Sequence, residues 1–186
     1  MLISLALSLI LILGCGVPLH PEMTKTSPAV HYPLLPPVSY GSSRSLEQLI
    51  EGRMEGRRVQ LRIHIEIDAE KIFVVGFTPW LSRVFTLSYD GQELDFVNPS
   101  GYALPFPPSA LLADIQQVLW PYLPSQGRWS SSDIPHRQER RVFLGRQLVT
   151  YIKYHGISPT VGDVELSNTL FSYYLRIRTP QADNQP

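Results

Sequence analysis

Residues 57–97 constrain the fold of this chain more than any other stretch. Val59, Leu61, Ile63, Ile65 and Ile67 alternate with Gln60, Arg62, His64 and Glu66. Alternation of period two over this length specifies a strand with one buried and one wet face, rather than a helix, whose apolar positions recur every three to four residues. Runs at 71–77, 83–89 and 93–97 read as three more strands, the last two joined through the two-residue hairpin signal Asp90-Gly91. Between the second and third strands, Thr78-Pro79-Trp80-Leu81-Ser82 places a large aromatic and a leucine where turns are usually polar.

An apolar sheet face needs a cover. Ser45-Leu46-Glu47-Gln48 matches a capping box, and Leu46, Leu49, Ile50 and Met54 share one face of a short helix predicted over 46–53. Ser109 is a good N-cap for a second helix at 110–119. There Ala110, Leu111, Ile115, Val118 and Leu119 form the apolar stripe, and Asp114, Gln116 and Gln117 form the polar face. Residues 123–135, with Trp129, read as an irregular loop. Strands resume at 141–144 and 147–154 around Gly145-Arg146, with a short one at 164–166. The last strand sets Phe171, Tyr173, Leu175 and Ile177 against Ser172, Tyr174, Arg176 and Arg178. The order predicts an α+β fold: a strongly curved antiparallel sheet, an open half-barrel, with helices covering its concave apolar face. The domain is expected over 44–180, followed by a polar tail at 181–186.

The N-terminus reads differently. Residues 2–13 are apolar or small, too few to cross a bilayer core, which needs about 20, but suited to an export signal. A signal peptide is expected over 1–14. Ile12-Leu13-Gly14-Cys15 resembles the lipobox of bacterial lipoproteins, and Cys15 is the only cysteine in the chain. The alternative is an ordinary cleaved signal with a chance cysteine. The lipobox resemblance implies acylation of Cys15 and a membrane anchor, since two or more buried acyl chains hold stably. Gly16, rather than Asp, follows Cys15, which favours the periplasmic face of the outer membrane. Prolines 18, 21, 28, 33, 36 and 37 then predict an extended tether over 15–43.

Little in the sequence carries catalysis. Sixteen basic residues balance sixteen acidic ones, so no net field attracts nucleic acid. His20, His31, His64, His136 and His155 stand at no metal-ligand spacing, and no nucleophile elbow, phosphate loop or dinucleotide fingerprint occurs. Arg137, Arg140, Arg141 and Arg146 read as a solvated, charge-guarded edge, or as a contact for lipid phosphate. No cofactor, metal or enzymatic activity is expected.

Residues 57–179 resemble a family of proteobacterial lipoproteins of unknown function that is associated with aryl-polyene biosynthesis clusters. The resemblance rests on Phe85-Thr86-Leu87-Ser88-Tyr89-Asp90-Gly91, on Leu111-Leu112-Ala113-Asp114-Ile115-Gln116 with Leu119-Trp120-Pro121, and on Val164-Glu165-Leu166-Ser167-Asn168 with Tyr174-Leu175-Arg176-Ile177-Arg178-Thr179. More distantly, the element order is similar to that of the LolA and LolB carriers and receptors of lipoprotein transport. This second likeness implies a cavity for an acyl or polyene-lipid chain, lined by Leu61, Ile63, Ile65, Leu111, Ile115 and Leu175. It also implies that Trp80 and Leu81 contact the membrane. Bulk added at Ala110 or Ala113 is expected to block such a cavity. The competing expectation is a structural lipoprotein with a self-filled core and envelope protein partners. An apolar pocket of roughly 300 Å³ or more separates the two.

The anchor has a direct check. Cys15→Ser should yield an unlipidated protein that no longer sediments with outer membranes, whereas wild-type recovery of the variant in that fraction refutes lipid anchoring.

Overall fold

The computed structural model describes residues 32–101, 104, 106–156 and 158–180. The expected signal peptide, Cys15, the first part of the tether and the polar tail lie outside the described residues. Within them, ten strands form one fully antiparallel sheet, and one α-helix packs on it. The strands are β1 (Arg44–Met54), β2 (Arg57–Ile67), β3 (Ile72–Phe77), β4 (Arg83–Tyr89) and β5 (Leu94–Val97), then β6 (Trp129–Ile134), β7 (Glu139–Leu144), β8 (Gln147–Tyr154), β9 (Gly162–Asn168) and β10 (Tyr173–Thr179). Helix α1 (Pro108–Leu119) lies between β5 and β6.

The spatial order is β5-β4-β3-β2-β1-β10-β9-β8-β7-β6. The chain thus starts in the middle, walks to one edge, crosses through α1 to the opposite edge, and walks back until β10 pairs with β1. Laid flat, nine spacings of ~4.8 Å would make a sheet ~43 Å wide, far beyond the reach of one helix about 10 Å across. Yet α1 meets both halves. Tyr154 of β8 donates its hydroxyl to the Val118 carbonyl (3.1 Å), and Val118 shares a cavity wall with Ile63 of β2 and Phe85 of β4. The sheet is therefore curled around the helix and left open between β5 and β6.

β2 has the expected register: Ile63, Ile65 and Ile67 are buried, with Val59 and Leu61 half-buried on the same face. His64, on the other face, is half-buried between Glu66 (2.9 Å) and Glu47 (2.6 Å), and the bond to Glu66 leads in raising its pKa. In β10, Tyr173, Leu175 and Ile177 point in and Tyr174, Arg176 and Arg178 point out. The Gly145-Arg146 hairpin joins β7 and β8 as expected. The Asp90-Gly91 connection is longer than a two-residue turn. β5 starts at Leu94, and Asp90 Oδ1 accepts the N–H groups of Gln92 and Glu93 (both 2.8 Å).

Five expectations are corrected. The helix over 46–53 is β1, paired with β2 over its whole length from Arg44↔Ile67 to Met54↔Arg57. Its inward face is Leu46, Gln48, Ile50, Gly52 and Met54, where a Gln and a Gly break the apolar alternation. Gly52 serves close packing: a Cβ there would stand 2.2 Å from the Tyr174 carbonyl oxygen. Ser109 is not the N-cap of α1. Pro107 holds that position and Pro108 opens the helix, where a missing N–H costs nothing. The polar face of α1 is buried, with Asp114, Gln116 and Gln117 all inside. The loop around Trp129 contains β6. Finally, the tether does not extend to residue 43. Tyr32, Leu35 and Pro37 are buried, the Leu35 N–H and C=O bond the side chain of Gln116 (2.8 and 2.7 Å), and Trp120 Nε1 donates to Ser39 Oγ (2.8 Å). Residues 32–40 form a strap across the helix.

These assignments predict a stability order. Ile65→Ala should destabilise by about 2–5 kcal/mol and Arg62→Ala by no more than ~0.5 kcal/mol. Gly52→Ala separates strand from helix. In a helix it would stabilise by up to about 1 kcal/mol, whereas the contact with Tyr174 makes it strongly destabilising. Denaturant unfolding of the three variants checks the order.

Candidate functional site: an apolar cavity beside the helix

Below α1, on the β1–β2–β10 side, the core does not close. A cavity of about 450 Å³ remains. Leu61, Ile63, Ile65, Leu111, Ile115 and Leu175 all line it, so the structure brings the six candidate lining residues to one space. They meet because period two on β2 and β10 and helical spacing on α1 aim all three elements inward. Sequence reasoning missed other parts of the wall, including Gln48 and Met54 of β1, Phe85 of β4 and Leu166 of β9. Ala110 and Ala113 are buried but do not line the cavity; Ala113 faces a separate 40 Å³ recess under the strap. A bulky residue at either would overpack the core instead of filling the space.

The mouth has a structural cause. β3 ends at Phe77, opposite Arg62, so residues 57–61 of β2 have no strand partner on that side. Arg58 and Gln60 border this gap, and Pro79 and Trp80 face it from the turn between β3 and β4. Trp80 is 76% exposed and Leu81 61%. The pair is held out firmly. Thr78 N–H donates to the Ser82 carbonyl (2.9 Å), Leu81 N–H to the Thr78 carbonyl (2.9 Å) and Ser82 N–H to Thr78 Oγ1 (3.0 Å). Leu81 sits at φ 67°, a left-handed conformation uncommon for a leucine.

One ionisable group lies deep in the wall. Asp114 of α1 lines the cavity and is buried. The Tyr173 hydroxyl donates to its Oδ2, and Asn168 Nδ2 approaches Oδ1 at 3.4 Å and Tyr173 Oη at 3.2 Å. The Asn168 amide is oriented by its own oxygen, which accepts the backbone N–H groups of Leu170 (3.0 Å) and Phe171 (3.2 Å). Burial pushes the Asp114 carboxyl from 3.8 up to about 7, opposed by the bonds from Tyr173 and Asn168. Burial, and then the Asp114 charge, raise the Tyr173 phenol as well. A local signal for Asp114 exists: Leu111, Ile115 and Val118 surround it at i−3, i+1 and i+4, leaving no wet face for it.

The arginine run divides. Arg140 is buried, not solvated, and it donates to Asp133 (2.6 and 3.1 Å) and to the carbonyls of Gln117 (2.8 Å), Trp120 (2.7 Å) and Pro121 (3.3 Å). It closes the C-terminal end of α1, where a cation meets free carbonyls and the negative end of the helix dipole. Arg137 and Arg146 stay exposed. Among the described residues, no helix is long and apolar enough to cross a membrane, and no group of three or more His, Cys, Asp or Glu side chains could hold a metal ion.

A family profile described as a protein of unknown function, DUF3261, matches residues 45–181. The chain belongs to the DUF3261 family. The matched span holds the whole cavity wall and the Trp80 turn, while the strap at 32–40 precedes it. No curated protein matches this DUF3261 chain.

Asp114 gives a pH prediction. A carboxyl with a raised folded pKa binds more protons folded than unfolded, so its contribution to stability falls as pH rises from about 4 to about 7. Asp114→Asn removes that loss. The stability of the variant relative to wild type should therefore improve between pH 5 and pH 8, by up to about 3 kcal/mol. A difference independent of pH, in denaturant unfolding, would show that Asp114 does not titrate in this range.

Proposed function

We propose that this protein is a lipid-chain carrier of the bacterial envelope. It is anchored through Cys15 to the periplasmic face of the outer membrane, and it holds an acyl or similar chain in its apolar cavity and passes it to that membrane. On this reading the curled sheet and its helix form a LolB-like half-barrel, and Trp80 with Leu81 is the contact with the bilayer. The observation that carries the proposal is the 450 Å³ cavity with a mouth at the Trp80 turn. Its volume falls in the range of small-molecule sites, ~300–1,000 Å³, and a self-filled structural core would leave no such space.

Two features support the membrane half of the proposal. An exposed Trp next to an exposed Leu is costly in water and suits the bilayer interface, where the ring is buried and its N–H stays wet. The tether is also short. With the strap fixed to α1, only residues 16–31 separate Cys15 from the folded body. Fully extended, they reach at most about 60 Å. An anchored domain on that leash meets the bilayer at high effective concentration, so the turn would act on orientation and delivery rather than localisation.

Lipids co-purifying with the full chain, identified by mass spectrometry, test the cavity. Leu61→Trp and Leu111→Trp place bulk at half-buried lining positions and should remove those lipids while the protein stays folded; full lipid content in both folded variants sinks the proposal. The turn has its own test. Trp120 and Trp129 are buried, so vesicles of brominated phosphatidylcholine should quench Trp80 selectively. Trp80→Phe should abolish that quenching. Equal quenching of wild type and variant places the membrane contact elsewhere.

A further inference from the structure

We infer that the ligand of this cavity is a single-chain amphiphile bearing a hydroxyl group, and that Asp114 is the residue that selects it. The inference rests on the carrier reading and adds the chemical class of the cargo. The cavity lies in the lower half of the range for small-molecule sites, which suits one chain rather than several side by side. Its wall is apolar around Asp114, with Leu111, Ile115 and Val118 of the same helix and Leu166 and Leu175 of the sheet. A purely hydrocarbon ligand would offer no donor to the buried carboxyl of this lining residue, which disfavours binding.

The hydrogen-bond inventory shows what is missing. A carboxylate is an acceptor with about four lone-pair sites. Oδ2 of Asp114 takes the Tyr173 hydroxyl, whose single proton is thereby used. Oδ1 has only the long 3.4 Å approach of Asn168, whose Nδ2 also serves Tyr173 Oη at 3.2 Å. Asn168 cannot rotate to do better, because its own oxygen is held by two backbone N–H groups. The Tyr32 hydroxyl, buried beside this cluster, has no hydrogen-bond partner among the described residues and does not fill the gap, so one oxygen of a buried carboxyl on a cavity-lining residue keeps spare accepting capacity. A ligand hydroxyl supplies the matching donor. An ether supplies none, and a ligand carboxylate would set two like charges together in a low-dielectric space.

The test uses the full chain in nanodiscs at pH 8, with empty nanodiscs as background, and three probes of one chain length: 1-decanol, decyl methyl ether and decane. Wild type should bind the alcohol at least about tenfold more tightly than the ether or the alkane, as expected for a hydrogen bond to a charged group. Asp114→Leu should bring the alcohol down to the level of the alkane and leave alkane binding intact. Asp114→Asn, which keeps the shape and an acceptor for Tyr173, turns an N–H donor toward the cavity and should raise the ether relative to the alcohol. If Asp114→Leu fails to fold, the wild-type probe series and the Asn variant decide alone. Equal binding of alcohol and ether by wild type, or an unchanged preference in the Asn variant, overturns the inference while the carrier reading stands. Absence of binding by all three probes overturns both.

Discussion

Helix α1 is buried on every side from Leu112 to Trp120, and the curl of the sheet follows from that burial. A helix buried all round must satisfy its polar groups internally, because no water reaches them. α1 carries three polar side chains into the interior and ends there, and the surrounding elements supply partners for Asp114, Gln116 and the helix end, while Gln117 Oε1 has none among the described residues. The strap gives Gln116 a backbone N–H and a backbone C=O. β10 gives Asp114 a phenol. β7 gives the last carbonyls a guanidinium, and β8 gives Val118 a tyrosine hydroxyl. These bonds come from four segments on different sides of the helix, the strap before it in sequence and three strands after it, and they can be made together only if the sheet wraps the helix. Removing Arg140 would leave Asp133 without its ion-pair partner and strip donors from the helix end, the kind of loss that costs far more than a surface pair.

The partners are unevenly distributed, and the cavity results. The strap, β7, β8 and β10 hold α1 through hydrogen bonds and aromatic contacts, such as Tyr32–Trp129 and Tyr40–Trp120, both at 4.8 Å between ring centroids. Toward β1, β2 and β4 the helix faces open space walled mainly by aliphatic and phenyl side chains, with Gln48 on β1 and Arg58 and Gln60 on β2. One side of the helix is pinned and the other is hollow. On the proposed reading, that asymmetry lets a ligand enter without unfastening the helix, since neither Gln116 nor Arg140 lines the cavity.

The parts of this fold that were legible in the sequence are those in which one strand declares its own buried face. β2, β4 and β10 each place apolar side chains at period two, which made Leu61, Ile63, Ile65 and Leu175 legible, and helical spacing on α1 did the same for Leu111 and Ile115. β1 was hidden because its inward row includes Gln48 and Gly52, and because a capping-box pattern offered a local alternative that pairing with β2 and β10 overrides. β6 was hidden by Ser130, Ser131 and Ser132, which carry no apolar face. Arg140 looked like a surface charge, since its partners are set by tertiary structure rather than by neighbours in sequence, and Asp114 was grouped with Gln116 and Gln117 as a polar face although Leu111, Ile115 and Val118 flank it. The strap was missed because prolines that block regular structure in solution also suit an extended segment lying on a folded surface.

The Trp80 turn brings together two unfavourable terms that a polar turn would avoid. A leucine in the left-handed region costs about 1–3 kcal/mol, and the Trp80–Leu81 pair leaves apolar surface in water at roughly 25 cal/mol per Å². The backbone bonds that hold Leu81 out relieve neither term, and Trp80 and Leu81 stay 76% and 61% exposed. The fold does not need this arrangement, because β3 and β4 pair from Ile72↔Tyr89 to Gly76↔Phe85 before the turn begins. An apolar phase covering the turn returns the surface term, and the strained but rigid, preformed loop loses little entropy on insertion. The same turn borders the only long unpaired stretch of β2, so whatever covers it also covers the mouth. On the proposed reading, the coupling of membrane contact to access is therefore a consequence of where β3 stops, at Phe77 opposite Arg62, five residues short of the reach of β2.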